Sequence, residues 1–168
     1  MQAEFRARVS MKNPVHFLAL GFGSGLIPFM PGTFGSLAAL PLLIACSQIS
    51  LISFIALTLI FSVVGIYLCG KTADDMQVHD HGSIVWDEIA GMFVTFLFVP
   101  ISASSLLVGF VLFRLFDILK PWPISWLDKR LRGGSGIMLD DVLAGIASNI
   151  VLQLILATQI GSDWLTAA

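Results

Sequence analysis

Charged residues occupy short stretches of this chain, and long apolar stretches separate them. Asp, Glu, Lys and Arg are absent from residues 16–70, 89–113 and 142–162. A membrane-spanning helix needs about 20 consecutive, mostly apolar residues, and the segments 49–70 and 142–160 meet that requirement directly. The pattern therefore predicts at least two helices that cross a membrane.

The apolar segment 84–116 is too long for a single span. As one helix it would extend roughly 50 Å at about 1.5 Å per residue, whereas the hydrocarbon core of a bilayer is about 30 Å thick. We therefore expect two short tilted helices joined at 100–104, where Pro and Ser interrupt the pattern. The segment 33–47 is shorter and contains Pro41, so it is either a short span or a re-entrant half-helix.

Glycine and proline break the first apolar region. Residues 21–25 and 28–32 contain too many of them for a stable helix interior. Such backbone is tolerated at membrane depth only when it is buried in protein or lines a wet cavity. Residues 1–13 are expected to form an N-terminal arm at the surface and not a secretory signal peptide, because no uninterrupted apolar core with a cleavage site follows them.

The composition agrees with a membrane protein. Apolar and aromatic residues make up 57% of the 168 positions and charged residues 12%, against about 25% charged residues in a soluble domain. The net charge of −2 provides no basic field. These values argue against a cytosolic globular protein, a disordered chain and a nucleic-acid-binding protein. The length suits a single membrane-embedded domain over 1–168.

The basic residues fall on one side of the predicted membrane. When the crossings are counted, all nine Lys and Arg lie on the side of the loop 71–83, and the turns at 47–50, 100–104 and 161–168 have none. The positive-inside rule makes the basic side cytoplasmic. Ten of the eleven acidic residues share it. We therefore expect an all-α, small polytopic bundle of four to five helices, with Gly/Pro-rich loops on the cytoplasmic side.

Two pairs of adjacent acidic residues are predicted to begin helices at this edge. Asp87 and Glu88 begin the third helix, and Asp140 and Asp141 begin the last. Acidic residues at helix N-termini complement the helix dipole, and solvated caps of this kind stay an alternative. Two repelling pairs on one membrane face favour a divalent cation instead, and oxygen ligands select a hard ion such as Mg²⁺. We favour a Mg²⁺ site formed by all four carboxylates.

Arg114, Asp117 and Lys120 are spaced by three, so they share one face of the fourth helix. Taken alone, they are typical of ion pairs at a helix end whose basic side chains reach lipid headgroups. Beside two acidic pairs, we favour a further carboxylate, acting as ligand or base, between two cations that bind phosphate.

Three glycine-rich turns lie at 21–25, 31–36 and 133–136. Backbone N–H groups in such turns can cradle a phosphate, although flexible turns have the same composition. We expect Gly32 and Thr33 to donate hydrogen bonds to a phosphate.

Histidine and tryptophan side chains lie in the loops of the same side. His81, in the His79-Asp80-His81 sequence, is either a solvated loop residue or an aid to proton transfer near Asp87. The segment 121–126, with its two tryptophans and the cations that follow, is typical of an aromatic belt at the membrane interface.

Four ordered blocks, at 31–36, 87–91, 113–121 and 140–145, resemble those of the bacterial phosphatidylglycerophosphatase A family. The resemblance extends from about residue 21 to residue 154. It implies an all-α, Mg²⁺-dependent phosphatase of the bacterial inner membrane, which converts phosphatidylglycerophosphate to phosphatidylglycerol at the cytoplasmic face.

The residues are consistent with hydrolysis by direct attack of water, because no protein nucleophile is evident. Two other classes stay open. A CDP-alcohol phosphotransferase also carries acidic motifs, but its usual pattern has an Asp-Gly step followed by Ala-Arg, and 140–145 has neither. An ion channel or transporter would place acidic residues near the bilayer midplane, where this sequence has none.

Overall fold

The computed structural model describes residues 8–78, 81–122, 124–128, 130–131 and 133–166, with the side chain of residue 128 left out. Throughout these residues the regular structure is helical, which confirms the all-α prediction. The helices are α1 Pro14–Ala19, α2 Pro31–Ala45, α3 Leu51–Met76, α4 Trp86–Thr95, α5 Ala103–Leu119, α6 Ile124–Asp128, α7 Gly133–Leu156 and α8 Gln159–Thr166, with a 3-10 segment, Gly21–Leu26, between α1 and α2.

Helix α4 is the centre of the molecule. Nine of its ten residues are buried, and α2, α3 and α7 pack around it. A helix that is apolar on nearly every face is stable only when neighbours cover it. Phe93 stacks on Phe54 of α3 with ring centroids 5.4 Å apart, and the Trp86 indole N–H donates to the Phe61 carbonyl at 3.0 Å. These contacts hold α4 firmly against α3.

Helices α4 and α7 cross at two glycines. A Cβ atom on Gly91 would lie 2.7 Å from the Asp141 carbonyl oxygen, and a Cβ on Gly145 would collide with the Gly91 carbonyl oxygen. Small residues allow two helix backbones to approach this closely. The crossing therefore brings the backbone of α4 at Gly91 beside residues 141–145 of α7.

The predicted break in the long apolar segment is present, but it begins earlier than expected. Helix α4 was expected to reach Pro100 and ends at Thr95. The Asn149 side chain of α7 donates to the carbonyls of Thr95 and Leu97 at 2.9 and 2.6 Å, so the helix end has partners for its last carbonyl groups. At ten residues, about 15 Å, α4 is too short to cross a bilayer by itself.

Two of the glycine-rich segments are helical, contrary to expectation. Helix α7 begins at Gly133, so 133–136 is its first turn and not a loop. Gly134 lies against the backbone of α3, where an added Cβ would be 2.8 Å from the Gly70 nitrogen. The segment 31–36 likewise begins α2, with Pro31 in the first turn, where proline is tolerated.

Candidate active site

Three carboxylates converge at the crossing of α4 and α7. Asp87, Glu88 and Asp141 each offer one oxygen atom, and these oxygens all lie within 4.8 Å of one another. We call these three residues the acidic cluster. Asp87 and Glu88 come from the first turn of α4, and Asp141 lies beside Gly91 because of the close backbone contact there.

Two residues of the acidic cluster are buried and Glu88 is half-buried. Asp87 is 8% exposed and Asp141 is 3% exposed. The oxygens that the three residues offer face one another within the 4.8 Å spread. Among the residues that the structure describes, Oδ1 of Asp87 and Oε2 of Glu88 have no hydrogen-bond partner. Buried carboxylates that face one another in this way require protons or a cation.

The helix-cap interpretation does not account for Asp140 and Asp141. Both residues were expected to begin the last helix, but α7 begins at Gly133, two turns earlier. Their backbone N–H groups therefore lie in the helix interior, where the dipole effect of the first turn is absent. Asp87 and Glu88 do lie in the first turn of α4, as predicted.

A cationic side chain borders the acidic cluster on the side of α5. Arg114 Nη1 lies 2.6 Å from Asp117 Oδ2 and 3.5 Å from Ser36 Oγ. Arg114 Nε is buried and has no hydrogen-bond partner within the described ranges. The guanidinium therefore retains a donor beside the carboxylates, in a form suited to an anion.

Asp140 and Lys120 form an ion pair beside the acidic cluster. Lys120 Nζ donates to Asp140 Oδ2 at 2.5 Å. The structure thus brings together three of the four predicted metal ligands and directs the fourth, Asp140, toward lysine. Adjacent residues of a helix differ in direction by about 100°, which is why the two aspartates meet different partners.

The first turn of α2 lies against the same site. A Cβ on Gly32 would be 3.2 Å from Arg114 Nη1 and would collide with Glu88 Oε1. Thr33 Oγ1 is buried and, in the part of the chain that the structure describes, has no hydrogen-bond partner. Ser36 Oγ donates to the Gly32 carbonyl at 3.0 Å and accepts from Arg114. Sequence reasoning assigned Ser36 no role; its i+4 spacing from Gly32 was the available signal.

His81 lies in the loop before α4. Its Nδ1 accepts a hydrogen bond at 3.2 Å from the backbone N–H of Ser83, two residues later. This local contact is typical of a loop-ordering role, and its predicted part in proton transfer stays a prediction. His79 and Asp80 lie outside the described residues.

Comparison with known proteins identifies the family of this chain. The family model described as Phosphatidylglycerophosphatase A matches residues 17–156. The chain is 47% identical over 151 residues to Phosphatidylglycerophosphatase A of Escherichia coli strain K12, covering 89% of this chain and 88% of the relative. It is 51% identical over 147 residues to the protein of that name from Haemophilus influenzae, covering 86% and 90%. No solved structure matches the chain.

Proposed function

The chain belongs to the phosphatidylglycerophosphatase A family and is a phosphatase, and on that premise we propose that it hydrolyses phosphatidylglycerophosphate to phosphatidylglycerol and inorganic phosphate with the help of Mg²⁺. The observation that carries the proposal is the acidic cluster beside the Arg114 guanidinium: Asp87 and Asp141 are buried, Glu88 is half-buried, and within the described part of the chain Asp87 and Glu88 each have an oxygen without a hydrogen-bond partner.

The residues present fit a magnesium ion. All three groups of the acidic cluster are oxygen donors, which Mg²⁺ prefers, and ligands across such an ion lie about 4 Å apart. Their spread of up to 4.8 Å needs only a small closure. Oδ1 of Asp87 and Oε2 of Glu88, which have no hydrogen-bond partner among the described residues, are available as ligands. When bound, the ion supplies polarisation of the phosphoryl oxygens and neutralises part of their charge.

The chain's own residues hold and orient the phosphate. Arg114 presents a planar set of donors to the phosphoryl oxygens, and Lys120 adds a point charge when it turns from Asp140. The Thr33 hydroxyl donates a further hydrogen bond. These groups stabilise the charge that develops on the transferring phosphoryl group.

Water is the attacking group in this mechanism. Its oxygen forms a bond to phosphorus while the bond from phosphorus to the glycerol oxygen breaks. Asp117, held by Arg114 at 2.6 Å, accepts the proton that the water loses and returns it to the departing glycerol oxygen. Because the lipid product keeps its acyl chains, only inorganic phosphate leaves the membrane edge.

The same proposal includes a multi-pass arrangement in the bacterial inner membrane, with the acidic cluster facing the cytoplasm. Helices α3 and α7 are long and apolar enough to span. In the most apolar 18-residue stretch of each helix, only 22% of α3 and 33% of α7 are buried inside the protein. A core helix of a soluble protein would be mostly covered. The one-sided distribution of Lys and Arg supports the orientation.

The test is phosphate release from phosphatidylglycerophosphate by the purified full chain in detergent micelles. We expect release with Mg²⁺ and its loss with a chelator, without any nucleotide co-substrate. Asp87→Asn should reduce the rate by about 10²-fold or more. Asp163→Asn is the matched control, because Asp163 is exposed in α8, where it accepts from Gln159.

Either of two results would contradict this proposal. Full activity in the chelator would remove the metal from the mechanism, and full activity of Asp87→Asn would remove that carboxylate from the site. Release that depended on a nucleotide-lipid would instead indicate a phosphotransferase.

A further inference from the structure

An apolar groove lies beside the site, between α5, α6 and α7. Its volume is about 410 Å³, within the roughly 300–1,000 Å³ typical of ligand pockets. The principal lining side chains are apolar or aromatic: Phe116, Trp122, Ile124, Leu143, Ile146 and Ile150. Trp122, at its rim, is 81% exposed. The mechanism above does not use this groove.

One end of the groove begins at the charged residues of the site. Phe116 directly precedes Asp117, Pro121 directly follows Lys120, and Leu143 lies one turn beyond Asp140. The ion pair between Lys120 and Asp140 therefore stands at its entrance. An occupant that reaches this entrance meets cations there and meets only apolar side chains farther along.

The groove then follows α7 away from the charged residues. Leu143, Ile146, Ala147 and Ile150 line it on successive turns. Its lining on α7 runs from Leu143 to Ile150, which is seven residues or about 10 Å along the helix. One leaflet is half of the roughly 30 Å hydrocarbon core, so the groove follows about two thirds of its depth.

We propose that this groove holds one acyl chain of the lipid phosphate substrate while the headgroup phosphate lies at Lys120 and Arg114. The assignment rests on the proposed function. The lipid fits when its headgroup, of two glycerols and a phosphodiester, lies along the membrane edge and one acyl chain enters the groove beside the charged residues. A helix from a second copy would match the apolar wall but would bring no anion to Lys120.

The groove also predicts selectivity for the substrate's apolar part. Packing contacts with Ala147 and Ile150 are gained only by chains long enough to reach them. Ala147 lies seven residues, about 10 Å, beyond Asp140. A six-carbon chain ends before that point, whereas an eighteen-carbon chain extends past it.

The test compares Ala147→Trp, which fills the groove, with Val63→Trp, which places the same side chain on the outer face of α3, where Val63 is 67% exposed. Phosphate release is measured in Mg²⁺ and detergent with dioleoyl and dihexanoyl phosphatidylglycerophosphate. We expect Ala147→Trp to raise KM for the dioleoyl lipid about tenfold with kcat retained, and to leave KM for the dihexanoyl lipid near that of the wild type. Val63→Trp should change neither KM.

An equal KM effect on both lipids, or no effect on either, would overturn the acyl-chain assignment while wild-type phosphate release still supported the proposed function. No release by the wild type would overturn both. If Ala147→Trp loses all activity, Ile150→Trp, at the more exposed far end of the groove, replaces it. KM is then measured for the same two lipids. A change of oligomeric state on size-exclusion chromatography with unchanged KM would show that a second copy occupies the groove, against the proposal.

Discussion

Two groups of acidic residues, one near the end of α3 and one where α4 and α7 cross, differ in how completely their oxygens are paired. Asp75, near the end of α3, accepts from His16 Nε2 at 3.0 Å and from Lys71 one turn earlier. The acidic cluster of Asp87, Glu88 and Asp141 is more deeply buried, yet two of its carboxylate oxygens have no partner among the described residues.

The difference separates structural from functional charge. The group around Asp75 joins α1 to α3, and the backbone N–H of Ser10 completes it by donating to His16 Nδ1 at 3.0 Å. It needs no ligand. The carboxylates of the acidic cluster repel one another, and no cationic side chain lies among the three residues. Clusters of this kind are typical of sites that bind a ligand of opposite charge.

The largest expected effect comes from Asp141→Asn. This change should lower phosphate release by about 10²–10³-fold and, in the absence of divalent cations, should raise the thermal midpoint because it removes one buried like charge. If Mg²⁺ binds at the acidic cluster as proposed, adding it should raise the midpoint of the wild type but not of the variant, which would lack one of the ligands. Calorimetry with and without Mg²⁺ measures this. A Mg²⁺-induced increase of the same size in both proteins would contradict the assignment of Asp141.

A smaller effect on chemistry, but a clear one on stability, is expected from Gly145→Val. The added side chain meets the Gly91 carbonyl and Val94 where α4 and α7 cross, so the helices must separate at a cost of about 1–3 kcal/mol. Denaturant titration measures the loss, and activity should fall because the two halves of the acidic cluster move apart. Gly82→Ala is the control, because its nearest neighbour would be Pro31 Cγ at 3.9 Å. Equal stability of the two variants would show that the crossing is not close-packed.

The smallest effect is expected from Asp75→Asn. It removes the charge that pairs with His16 and Lys71, so the thermal midpoint should fall slightly, while the rate of phosphate release should stay within about twofold of the wild type because this group lies outside the site. Parallel melting and activity measurements check both. A loss of activity comparable to that of Asp141→Asn would erase the distinction between the two groups.

Several features of the fold and site followed from local patterns. The helical class and the break after α4 were predictable, because apolar length and Pro/Ser punctuation act over a few residues. The association of Asp117 with Arg114 was predictable from their spacing on one helix face. The start of α7 was not predictable, because residues 133–136 have the composition of a turn. Their helical conformation brings Gly134 against the backbone of α3, a contact between residues far apart in the sequence.

The sequence by itself determined where the apolar stretches lie, that the charged motifs fall at one edge of them, and which carboxylates were available there. Only the tertiary structure decided that Asp141 joins Asp87 and Glu88 while Asp140 pairs with Lys120. Two adjacent aspartates have the same composition and nearly the same position in the chain. Their directions differ by about 100° around the helix, and the contact between Gly91 and Gly145 sets which of them faces α4.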